Sequence, residues 1–82
     1  MKIQGYSVGT SVQWMDGDSG GFQTGVVRAR YYDPDTTEIN GETIDINVIG
    51  NSPTYKVEAK TNNRMIVLRH TKVTSRSKTE NN

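Results

Sequence analysis

In several stretches of this chain apolar residues recur at every second position, and no stretch keeps the i, i+3, i+4, i+7 spacing of an amphipathic helix. In residues 10–15, Val12 and Trp14 alternate with Ser11 and Gln13, so an extended segment there has one apolar and one polar face. Residues 22–32 form a second strand, long enough to bend across a small barrel, and Gly25 near its start permits a bulge or sharp coil. A third core strand, 54–59, puts Tyr55 and Val57 on one face. The fourth, 65–70, contains an unbroken Met-Ile-Val-Leu run, which predicts burial on both faces.

The segments between these strands read as turns. Residues 16–21 are small and polar, and Asp33-Pro34-Asp35 ends the second strand because proline cannot donate to a ladder. Asn40-Gly41, set between residues 36–39 and 42–44, is a strong hairpin signal, and a protruding β-arm is expected there. Residues 60–63 form another turn, and one helical turn at 71–73 closes the end of the barrel. Residues 75–82 carry no apolar side chain and read as a disordered polar tail. The expected organisation is an N-terminal extension at 1–5, one all-β barrel domain of four to six strands at 6–74, and that tail.

Composition narrows the function. With 82 residues, 32% of them hydrophobic, the chain has room for one domain with a small core and none for a large pocket. No small-molecule substrate is expected. The absence of cysteine excludes a disulfide scaffold and a thiolate zinc site. The first residues lack the apolar stretch of a secretory signal, and no run approaches a membrane span, so a cytoplasmic monomer is the expectation. Net charge is only +1 but unevenly spread. Residues 1–58 hold eight acids and four bases, whereas 59–82 hold six bases and one acid. Such asymmetry marks either a solubilising terminus or a surface for nucleic acid or an acidic partner.

The order Tyr6, Val8-Gly9, Val12, Trp14, then Gly25-Val26-Val27, then Pro53-Thr54-Tyr55-Lys56-Val57, then Val67-Leu68-Arg69-His70 and Val73 resembles the hypervirulence-associated Tudor-like domain family of bacterial and fungal proteins. The resemblance covers about residues 6–74. It implies an SH3-like or Tudor-like barrel, and little biochemistry.

Six residues are candidates for ligand binding. Trp14 and Tyr55 are aromatics of the kind that hold cations at a Tudor-like barrel end, although both share a face with core valines and serve equally as core. Tyr31 and Tyr32 are neighbours, so alternation turns one inward and one outward. With Tyr32 outward, it aligns with Arg28 and Arg30 at spacing two, a basic and aromatic stripe suited to phosphates and bases, or a solvated strand face. His70 has no nucleophile or orienting acid placed by any motif, and an enzyme is not expected. Asp16 and Asp18, like Asp33, Asp35 and Glu38, lack calcium-loop spacing and read as turn residues, and no Gly-rich phosphate cradle is present. No metal or cofactor is expected. The sequence therefore predicts a non-catalytic module that engages nucleic acid or a protein segment through barrel-end aromatics and a basic strand. The alternative is a protein-interaction or assembly module using the 39–44 hairpin edge.

Overall fold

The computed structural model describes residues 3–18 and 20–75. The elements are β1 (Ser11–Met15), β2 (Phe22–Tyr31), β3 (Asp35–Ile39), β4 (Glu42–Ile46), β5 (Thr54–Ala59), β6 (Met65–Arg69), a 3₁₀ turn (His70–Lys72) and β7 (Val73–Ser75). They form a five-stranded antiparallel sheet, ordered β6-β5-β2-β1-β7, and a separate β3-β4 hairpin. Among the described residues no helix is long and apolar enough to cross a membrane.

The two outer strands of the sheet are consecutive in sequence, joined only by the three-residue turn. In a flat sheet they would lie four strand spacings apart, roughly 19 Å, whereas a 3₁₀ turn advances about 2 Å per residue. The sheet is therefore strongly curled, yet it is not closed, because β6 and β7 do not pair. Val12, Trp14, Val27, Tyr55, Val57, Ala59 and Val73 fill the inside of the curl, with Tyr6, Ile66 and Leu68 packed against them. Burying each of the large side chains contributes about 1.5–3 kcal/mol. Gly25 lies at the closest strand approach, where a Cβ would strike the Glu58 carbonyl oxygen and the Val57 side chain.

Four expectations need correction. The irregularity in β2 falls between Val27 and Ala29, three residues past the glycine expected to host it. β6 is an edge strand whose apolar residues are all half-buried, because only β5 pairs with it. Val73–Ser75 forms a strand against β1, so Ser75 belongs to the sheet, while 76–82, expected to be a tail, lies outside the described residues. Finally, the hairpin turns at Asn40 and Gly41, both at positive φ, but it is held along its length rather than protruding. Its Ile39 and Ile46 are buried, and Lys56 of β5 donates to the Thr37 hydroxyl at 3.0 Å.

Candidate functional site

The β2 irregularity decides where the predicted stripe goes. Cross-strand partners share a face, and the register pairs Val27 with Val57, then Ala29 with Lys56 and Arg30 with Tyr55. One extra residue, Arg28, has been inserted, so side chains beyond it swap faces. Arg28 consequently stands apart from Arg30 and Tyr32. Its Nε donates to Glu58 Oε1 at 2.7 Å at the surface, and Asn63 donates to the other carboxylate oxygen. The bonds from Asn63 and Arg28 hold the Glu58 carboxyl below its usual range.

Arg30 and Tyr32 instead join Tyr55 at one end of the curl. There the segment from Ile3 to Tyr6 crosses the sheet as a strap. Tyr32 Oη accepts the Gly5 N–H and Tyr55 Oη the Tyr6 N–H, each at 2.9 Å. The Arg30 guanidinium donates to the carbonyls of Gly5 and Tyr6 and lies over the Tyr32 ring, 5.3 Å from its centroid. Gly5 is required at this point, since a Cβ would collide with Tyr55 Oη and the Pro53 ring. The Tyr6 ring packs on Tyr55 and His70, with centroids 5.8 and 5.1 Å away. His70 Nδ1 lies 2.7 Å from Tyr55 Oη, a hydrogen bond that the phenol donates in one neutral tautomer and the imidazole in the other. Burial pushes the Tyr55 phenol above its ordinary value. Of the residues expected to be an N-terminal extension, 1–5, Ile3 and Gly5 are thus bonded into the domain, and 1–2 lie outside the described residues.

Trp14 and Tyr55 take the core positions that alternation also allowed, with exposures of 7% and 0%. Both serve as filling for a small curled sheet. Tyr31 sits half-buried on the face opposite Tyr55, paired with Thr54. Asp16 is a turn residue: its carboxylate accepts from the Asp18 N–H and the Gln23 amide. Of the six candidates, the structure brings together Arg30, Tyr32 and Tyr55, adds Tyr6 and His70, and engages Arg30 Nη1, the Tyr32 and Tyr55 hydroxyls and His70 Nδ1 internally.

What remains unengaged lies elsewhere. An open groove of about 490 Å³ is lined by Val67, Leu68 and Arg69 of β6, Met15 of β1, Lys72 of the 3₁₀ turn, and Thr54, Asp45 and Asn47. Met15 is directly opposite Phe22 in the β1-β2 ladder, and both are largely exposed, at 59% and 64%. No sequence signal singled out this edge, because it is made by a missing neighbour. No family model, curated protein or solved structure matches the chain.

Proposed function

We propose that this chain is a non-catalytic binding module, a small SH3-like or Tudor-like curled sheet that holds a protein segment. The observation that supports this reading is the uncovered β6 edge beside exposed apolar side chains, a pairing that strand addition uses. The Arg28 and Arg30 stripe no longer favours nucleic acid, because Arg28 is matched by Glu58 and Arg30 holds the strap. The 39–44 hairpin is the weaker protein-binding surface, since its apolar Ile39 is buried and its exposed tip is polar.

One observation favours a second reading, nucleic acid: Lys60, Arg64, Arg69 and Lys72 are exposed, and residues 59–75 contain no acid. Amide-resolved titrations with single-stranded DNA, double-stranded DNA, RNA and extended peptides separate the two. Peptides are expected to shift the β6 amides and to keep most of their affinity as salt rises. Nucleic-acid binding whose affinity falls with salt by several released counterions would replace the protein reading.

A further inference from the structure

The β6 edge is defined by its hydrogen-bond parity. Ala59 donates to the Arg64 carbonyl at 2.8 Å and His70 to the Pro53 carbonyl at 3.0 Å, so the backbone groups of Arg64 and His70 face β5. Antiparallel pairing alternates, which turns Ile66 and Leu68 toward β5 as well and Met65, Val67 and Arg69 away from it. The outward N–H and C=O groups of Met65 and Val67, and the N–H of Arg69, have no backbone partner among the described residues, whereas the Arg69 carbonyl opens the 3₁₀ turn. Val67 and Leu68 belong to opposite faces, yet both line the same groove, so the groove follows the strand edge itself. It is also lined by Met15, one residue past the β1-β7 ladder, and by Lys72, one residue before β7.

Charge selects the occupant. Lys60 and Arg64 precede β6, Arg69 ends it and Lys72 follows, all exposed, against the single carboxylate of Asp45 in the groove. Between the bases stand Met65, Ile66, Val67 and Leu68. A second copy of this chain would bring the same bases to the contact, a known guard against edge-to-edge association. Nucleic acid would satisfy the bases but not the backbone groups or the apolar centre. We infer that the β6 edge captures an extended peptide with an apolar, β-forming centre flanked by acidic residues, which adds as a strand along β6 in this groove. This rests on the protein-segment reading above and names its site and ligand chemistry.

The test uses the full chain and a capped peptide, Glu-Glu-Val-Thr-Val-Thr-Glu-Glu. Two controls accompany it, one with lysine in place of each glutamate and one N-methylated at both valines. Binding is expected to protect the Met65, Val67 and Arg69 amides from hydrogen exchange and to shift Met15 and Lys72. The lysine and N-methylated peptides are expected to bind at least about tenfold more weakly, as is the parent peptide to R69E/K72E. Val67→Pro removes one outward donor that the β5 ladder does not use and is expected to abolish binding. Where that variant fails to fold, the N-methylated peptide makes the same test on the wild-type chain. Equal binding of the glutamate and lysine peptides would overturn the inference. So would peptide-induced shifts confined to the 39–44 hairpin, which would leave the protein-segment reading standing. Absence of binding by any peptide at about 1 mM, with RNA or DNA shifting the amides of 60–72, would overturn both.

Discussion

The aromatic end and the β6 edge are built from opposite kinds of residue. At the aromatic end, Tyr6, Arg30, Tyr32, Tyr55 and His70 are the side chains a chemist would choose for recognition, and they are hydrogen-bonded or stacked on one another and on the strap. At the edge, the side chains are plain aliphatics and lysine or arginine, while the outward backbone groups of Met65 and Val67 lack a partner among the described residues. Recognition chemistry that has been consumed internally stabilises a fold. Groups left without partners are the ones that can meet a ligand, even when their residue types are unremarked.

If that contrast is right, substitutions at the aromatic end should act on stability and those at the edge should not. The largest effect is expected for Tyr55→Ala, which empties a site of zero exposure and strands the Tyr6 N–H; a loss of about 3–5 kcal/mol in denaturant unfolding would fit. A near-neutral result would mean that the strap and the core are not coupled. Gly5→Ala comes next, at about 1–3 kcal/mol, because its Cβ must displace Tyr55 Oη and Pro53.

Tyr55→Phe should cost about 1 kcal/mol by removing one hydroxyl from two hydrogen bonds. It also carries a pH signature. A folded-state value raised above the ordinary 10.0 means that stability is fully present below the unfolded value and is lost as pH rises through the folded one. Thermal unfolding followed into the alkaline range should show this loss in the wild type and a smaller one in Tyr55→Phe. The smallest effect is expected for Arg28→Ala, within about 0.5 kcal/mol, since its partner lies at the surface and exposed pairs contribute little. A large loss there would show that the β2 irregularity depends on the ion pair.

Much of this architecture is legible in the residues. Alternation around Val12 and Trp14 and around Tyr55 and Val57 locates two core strands, and Asn40-Gly41 locates the hairpin turn. β7 escapes because three residues cannot display a period, and only pairing with β1 makes Val73–Ser75 a strand. The stripe of Arg28, Arg30 and Tyr32 misleads for a related reason. Spacing two is a valid guide to a shared face until one residue is inserted, and nothing about Arg28 itself announces the insertion. The Met-Ile-Val-Leu run records apolar content but not the number of neighbouring strands, so an edge reads like a centre. The strap is hidden because hydroxyls of residues 32 and 55 choose backbone groups some 27 and 49 positions away.

The pairing of Trp14 with Val73 has a consequence for how the molecule comes into being. β1 finds its outer partner only 59 positions further along the chain, from Trp14 to Val73, so the sheet cannot be completed until that whole stretch has been made. Contacts so distant in sequence carry a heavy loop-closure entropy before they are rewarded, and proteins dominated by them fold in milliseconds to seconds rather than microseconds. Folding of this domain is therefore expected to be slow for its size, with β1 docking against β7 among its last events.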